Sequence, residues 1–247
     1  MEEPVAVRLQ RTSVPYYFVH ESLAQTSPSQ TWLIFASIIG DSLWIAAYIL
    51  IIRRGFRDRA YGVPMVALAL NFTWEFIYAV VYPPVGPIST ILRWSWFLTD
   101  TVIVYQFLRY GRENQVIPEA RQYFYPMAIF TFVASYFGQL TYHWHFHDRW
   151  GYEDAFTINL LMSILFIYFF FNRIGLAGLS YGAAWCKMLG TTLLSITNFT
   201  QRKESWHSYS FMIYLYVATF IFDVLYIFLL RRAIAQEALV EKQAATA

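Results

Sequence analysis

Long apolar runs separated by short polar connections make up most of this chain, at about residues 32–52, 62–82, 90–108, 122–141, 155–173, 179–198 and 209–230. Each is close to the ~20 residues with which an α-helix crosses ~30 Å of hydrocarbon. The pattern therefore predicts an all-α fold: a polytopic bundle of seven transmembrane helices forming one domain over residues 1–247. The connections are too short to hold a soluble catalytic domain, so any chemistry belongs among the helices. The turn Tyr82-Pro83-Pro84-Val85-Gly86-Pro87 ends the second run, because proline cannot continue a helix and restricts the residue before it. No internal repeat or interdomain linker interrupts the pattern, and the Ala-rich tail after Arg232 reads as a frayed cytoplasmic end.

Polar residues inside the apolar runs change this picture. Asn71, Trp74, Glu75 and Tyr78 fall at i, i+3, i+4 and i+7, so an amide, an indole, a carboxyl and a phenol share one helix face. A charge at the centre of a membrane helix costs roughly 3 kcal/mol on insertion scales, so such residues turn inward and mark function. The first run repeats the theme with Asp41, Trp44 and Tyr48, and the third with Trp96 and Asp100. The fourth carries Tyr136, Gln139 and His143; the fifth carries Asn159. Lys187, Thr191, Ser195 and Asn198 lie along the sixth, and Tyr216, Thr219, Asp223 and Tyr226 along the seventh. Four intramembrane acids, Asp41, Glu75, Asp100 and Asp223, thus face a single lysine, Lys187.

Composition agrees with a membrane protein: 57% of residues are hydrophobic, 20% aromatic and 14% charged, against about 25% charged in an average soluble domain. The net charge of +2 and the absence of an aromatic-interleaved basic patch argue against a nucleic-acid partner. Eleven basic residues follow the odd-numbered runs, from Arg53 to Lys242, and six lie on the other side: Arg8, Arg11, Arg93, Arg149, Arg202 and Lys203. The positive-inside rule then places the N-terminus outside and the C-terminus in the cytoplasm. The first thirty residues lack the h-region and cleavage site of a signal peptide, so the first run is expected to serve as its own insertion signal. The expected location is an integral, multi-pass membrane one: endoplasmic reticulum in a eukaryote, plasma membrane in a bacterium.

Two local features have bland readings. Cys186 is the only cysteine, so neither a disulfide framework nor a thiolate metal site forms within one chain. Between the fourth and fifth runs, histidines alternate with aromatics from Tyr142 to Trp150. Alternate histidines on a strand would face one way and bind a metal, but interfacial aromatics with polar neighbours need no ion, and a lid over a cavity is the better use. The sequon Asn198-Phe199-Thr200 abuts the sixth run and is expected to be inaccessible.

Burial and mutual repulsion favour the neutral form of clustered carboxyls, so at least one of the four acids is expected to stay protonated near neutral pH. A neutral, desolvated carboxylic acid is a proton donor. The surrounding Trp, Tyr and Phe rings stabilise cations with their faces and offer no strong nucleophile to quench them. An acid in an aromatic-lined cavity is what protonation of an alkene or epoxide, followed by steering of the carbocation, requires.

The segments Asn71 to Ala79 (NFTWEFIYA), Ile158 to Ile167 (INLLMSILFI), Ala183 to Leu193 (AAWCKMLGTTL) and Phe222 to Leu230 (FDVLYIFLL) resemble the integral-membrane terpene cyclases of meroterpenoid and indole-diterpenoid biosynthesis. The likeness covers nearly the whole chain. It implies a small seven-helix enzyme that cyclises a prenyl chain attached to a non-terpenoid unit. The reaction would start by protonation of a terminal epoxide or olefin, with no metal and no cofactor; the chain has no Asp-rich DDxxD motif. The resemblance assigns the family's acidic pair to Glu75 and Asp223, one of which donates the proton. Helix faces add Asn71, Trp74, Asp41, Asp100, Asn159 and Lys187 as residues that shape the substrate site. The implied partners are the bilayer and a prenylated small molecule entering from the lipid phase.

The rival reading is a seven-helix transporter or proton-relay protein with the acids in series. A retinal pump is disfavoured, because its lysine belongs in the last helix and Lys187 is in the sixth. A transporter would show repeats or Gly/Pro-broken midplane helices, which are not evident beyond Gly190. A structural alternative treats Asp41 and Asp100 as interhelical hydrogen-bonding glue worth ~1 kcal/mol each.

Overall fold

A computed structural model describes residues 28–84, 86–148, 150–173, 175–201 and 206–246. Its described elements are all helical: α1 (Pro28–Asp58), α2 (Met65–Phe76) continued by a π-helical turn (Ile77–Val81), α3 (Pro87–Tyr110), the short α4 (Pro118–Gln122), α5 (Phe124–Phe146), α6 (Tyr152–Phe171), α7 (Tyr181–Gln201) and α8 (Trp206–Thr246). Every helix except α4 overlaps one of the apolar runs. Three qualify as membrane spans by length and hydropathy together: Thr31–Asp58, Tyr152–Phe171 and Tyr209–Ala244. Met65–Val81 is apolar but shorter, while α3 and α7 are diluted by polar residues that they turn inward, such as Arg93, Asp100 and Gln106 on α3 and Lys187, Thr191 and Ser195 on α7, all of them buried.

The boundaries follow local chemistry. Pro64 stands at the N-cap of α2, Pro87 opens α3 after Gly86 at φ 100°, and Arg59 reverses the chain after α1 at φ 50°. Asp148 caps α6, its carboxylate accepting the backbone N–H groups of Tyr152 and Asp154 at 3.0 Å each. Two expectations need correction. The histidine-rich segment is not extended: α5 runs to Phe146, so His143 and His145 stand on its last turns. The tail is not frayed, because α8 continues to Thr246 through strong helix formers such as Ala, Glu, Leu, Gln and Lys. Of the residues used to orient the chain, Arg8, Arg11, Arg149, Arg202 and Lys203 lie outside the described residues.

α1 packs most closely on α7 and also on α3; α2 packs on α3, α5 and α6; and α8 lies against α6 and α7. The α1–α7 approach depends on two glycines. A Cβ on Gly190 would lie 2.9 Å from the Gly40 carbonyl oxygen, and one on Gly40 would lie 3.1 Å from the Gly190 oxygen. Small residues admit such backbone contact between membrane helices. Ile129, Phe130, Phe137 and Phe171 point outward and are well exposed, as suits a lipid-facing surface.

Candidate active site

A cavity of about 870 Å³ opens between α1, α2, α3, α6 and α7, walled by Trp44, Trp74, Trp96, Phe156 and other apolar side chains with a few polar groups among them. Glu75 and Asp41 line it, and both are buried, at 2% and 3% exposure. Glu75 is held on one oxygen only. Its Oε1 accepts the Tyr48 hydroxyl at 2.7 Å and the Asn71 Nδ2 amide at 2.9 Å, whereas Oε2 is buried with no hydrogen-bond partner among the described residues. The three side chains meet because Asn71 and Glu75 stand one turn apart on α2 and Tyr48 comes across from α1.

The structure brings Glu75 together with Asp100 rather than with Asp223. Asn71 Nδ2 also lies 3.1 Å from Asp100 Oδ2 and 2.6 Å from the Tyr48 hydroxyl, so one amide joins two carboxyls and a phenol. With two hydrogens it satisfies at most two of these acceptors at once. Asp223 instead accepts Lys187 Nζ on both oxygens, at 2.7 and 2.9 Å, and the same ammonium donates to Ser163 Oγ at 2.7 Å. All three lysine donors are thereby used, tying α6, α7 and α8 together. Lys187 lies 5.6 Å from the Trp44 ring centroid and lines a second, smaller cavity of about 540 Å³, whose walls share Trp44, Tyr48, Asn71 and Met162 with the first.

The remaining expected site residues divide between wall and frame. Asn159 donates to Thr191 Oγ1 at 2.9 Å, while its own Oδ1 is buried on the cavity wall with no partner among the described residues. Trp74 donates its indole N–H to the Gly151 carbonyl at 3.0 Å, and Trp96 donates to the Asp41 backbone carbonyl at 3.3 Å. After α5, Gly151 packs against the Trp74 and Tyr78 side chains. Tyr78 lies 3.1 Å from both His143 Nδ1 and the Asp148 carbonyl oxygen, and Tyr82 stacks on His143 with ring centroids 4.3 Å apart. Gly151 makes this fit possible: at φ 71° it lies where a Cβ would sit 2.4 Å from the Tyr78 ring.

Arg93 was missed by sequence reasoning, which counted it only as a topology-setting surface charge. It is 4% exposed and lines the larger cavity, with its guanidinium carbon 4.4 Å from the Trp74 ring centroid and 5.7 Å from that of Trp96. Its spacing from Trp96 and Asp100, at i, i+3 and i+7, was the available signal. Among the described residues no group of three or more His, Cys, Asp or Glu could hold a metal ion.

Residues 23–236 match the family described as Pyr4-like transmembrane terpene cyclases. Among curated relatives, the chain is 26% identical over 197 residues to the Pyr4-family terpene cyclase mfmH of Annulohypoxylon moriforme, covering 75% of this chain and 79% of that one. It is 25% identical over 171 residues to terpene cyclase cle7 of Aspergillus versicolor, covering 66% and 69% respectively. A shorter match, 42% identical over 72 residues, relates 29% of the chain to 26% of terpene cyclase ascF of Acremonium egyptiacum. No solved structure matches.

Proposed function

From the premise that this chain belongs to the Pyr4-like transmembrane terpene cyclases, we propose that it protonates the terminal epoxide or olefin of a prenylated, meroterpenoid-type substrate and guides the resulting cation to ring closure. The carrying observation is the two-sided environment of Glu75. Oε1 already accepts two hydrogen bonds, so the carboxyl proton belongs on Oε2, the oxygen with no hydrogen-bond partner among the described residues, on an aromatic-lined wall. Two carboxyls within reach of one amide repel each other when both are ionised, which favours keeping that proton until substrate takes it.

In the proposed reaction, Glu75 transfers its proton to the substrate, the epoxide C–O bond breaks or the alkene π bond is consumed, and a tertiary cation forms. The next alkene attacks the cation and ring closure propagates. The last cation then loses a proton, which can return to the carboxylate, so the reaction is a net isomerisation. As Glu75 becomes a carboxylate, its bonds from Tyr48 and Asn71 strengthen, stabilising the transition state more than the ground state. The faces of Trp44, Trp74 and Trp96 offer the moving charge a polarisable wall. Asp223 takes the second essential role through Lys187, fixing the ammonium and with it the wall shared by the two cavities. Asn159, Asp41 and Asp100 shape and hydrogen-bond the site.

The seven longer helices are proposed to cross the membrane with the N-terminus outside and the C-terminus in the cytoplasm, so that substrate enters from the lipid phase. The proposal requires that Glu75→Gln and Asp223→Asn each abolish product formation in microsomes supplied with a prenylated substrate, while the protein stays folded and inserted. Product at wild-type level from Glu75→Gln would remove the mechanism.

A further inference from the structure

The larger cavity has a second carboxyl at a different level from Glu75. Asp41 and Glu75 are the two acids among its described lining residues. Asp41 and Tyr48 stand seven residues apart on α1, about 10 Å along the helix, with Trp44 between them on the same wall. The Tyr48 hydroxyl marks the level of Glu75, and the Trp96 indole, which donates to the Asp41 backbone carbonyl, marks the level of Asp41. On α3, Trp96 lies one turn, about 6 Å, before Asp100, which shares Asn71 with Glu75. The two helices together separate the acids by roughly 6–10 Å along the bundle.

Asp41 is 3% exposed, yet its carboxyl makes no hydrogen bond among the described residues. Interhelical glue would be hydrogen-bonded across helices, and this carboxyl is not. The other intramembrane acids are placed differently: Asp223 is taken by Lys187, and Asp100 lines the smaller cavity. Burial works against a free carboxylate at Asp41, and the charge of Arg93 works for it. Such a balance suits a group that must accept a proton and then release it.

A cyclisation begun at Glu75 moves its positive charge away from that residue, because each ring closure relocates the cation by one isoprenoid unit along the chain. The proton of the last cation returns to Glu75 only if that cation lies beside it. From Glu75 the cavity wall runs past the Trp44 ring, whose face tolerates a passing cation, to Asp41.

We propose that Asp41 is the general base that ends the cyclisation. Its carboxylate takes a proton from a carbon next to the last cation. The C–H bond breaks, its electron pair becomes the π bond of the product alkene, and Asp41 is left neutral. As product leaves, water admitted to the cavity carries a proton from Asp41 back to the Glu75 carboxylate, so no further reactant is consumed. The inference rests on the cyclase reading for the cation that Asp41 discharges.

The test follows product partition in detergent-solubilised protein, by mass spectrometry, from a farnesylated hydroxybenzoate ester with a terminal epoxide. The wild type should form alkenes of the substrate's own mass. Asp41→Asn keeps the shape and loses the base, so water quenches the last cation and the ratio of water adducts to alkenes should rise roughly tenfold or more. An unchanged ratio, or a folded variant that forms no product at all, overturns the proposal. Product at wild-type level from Glu75→Gln would instead remove the cyclase reading. If Asp41→Asn loses its melting transition, binding to Glu75→Gln decides, since Asp41 is then the remaining acid on this cavity's described wall. A bicyclic tertiary amine, protonated at neutral pH so that its nitrogen stands for the last cation, should quench tryptophan fluorescence at roughly tenfold lower concentration than its neutral carbocyclic analogue. Equal binding of the two overturns the proposal.

Discussion

Tyr48→Phe isolates one hydrogen bond at the proposed proton donor with little change of shape. The hydroxyl donates to Glu75 Oε1 at 2.7 Å and sits 2.6 Å from Asn71 Nδ2. Removing it leaves Asn71 with two carboxyl acceptors for its two hydrogens, so no donor is stranded. A hydrogen bond to a neutral acceptor is worth about 0.5–1.5 kcal/mol net, and one to a charged acceptor about 1.5–3. Glu75 passes from the first state to the second as it gives up its proton, so the bond gains roughly 1–2 kcal/mol between ground and transition states. That difference corresponds to a drop in kcat of about 5- to 30-fold, at about 1.4 kcal/mol per decade. KM should change little, since the ground-state ligand does not depend on this bond. The assay is steady-state product formation by purified protein in detergent or nanodiscs, with thermal melting as the control for folding. A kcat within twofold of wild type, or a rise in KM alone, would refute the argument that Tyr48 stabilises the developing carboxylate.

Other substitutions test the frame around the site. Lys187→Met should destabilise the protein by about 3–5 kcal/mol, because Asp223 is left as a buried carboxylate without its cation. The double variant Lys187→Met/Asp223→Leu should recover most of the loss in a detergent thermal melt, and a double variant no more stable than the single one would speak against the ion pair as the cause. Gly151→Ala should lower both the melting temperature and activity: alanine at φ 71° costs about 1–2 kcal/mol, and its Cβ would lie 2.4 Å from the Tyr78 ring and 2.9 Å from Trp74 Nε1. Gly138→Ala, inside α5 where a Cβ meets nothing within 4 Å, should leave activity unchanged and raise the melting temperature slightly, since alanine favours a helix interior over glycine by about 0.5–1 kcal/mol, and serves as the control.

Hydropathy and spacing alone determined that this is an all-helical membrane chain and that its intramembrane polar groups point inward, because hydrocarbon penalises unpaired polar groups wherever a helix is placed. The face shared by Asn71 and Glu75 follows from helical period, and the structure places both on the wall of the larger cavity. Which acid stands beside which was not legible, since period fixes the direction of a side chain about its own helix but not the rotation or depth of that helix against another. Contact between Gly40 and Gly190 sets how close α1 comes to α7. Tertiary packing thus joined Glu75 to Asp100 through Asn71 and gave Asp223 to Lys187. It also turned Arg93, near a helix end where sequence suggests a solvated charge, onto the Trp74 ring inside the cavity. Long side chains at helix ends can reach either way, and only the neighbouring helices decide which.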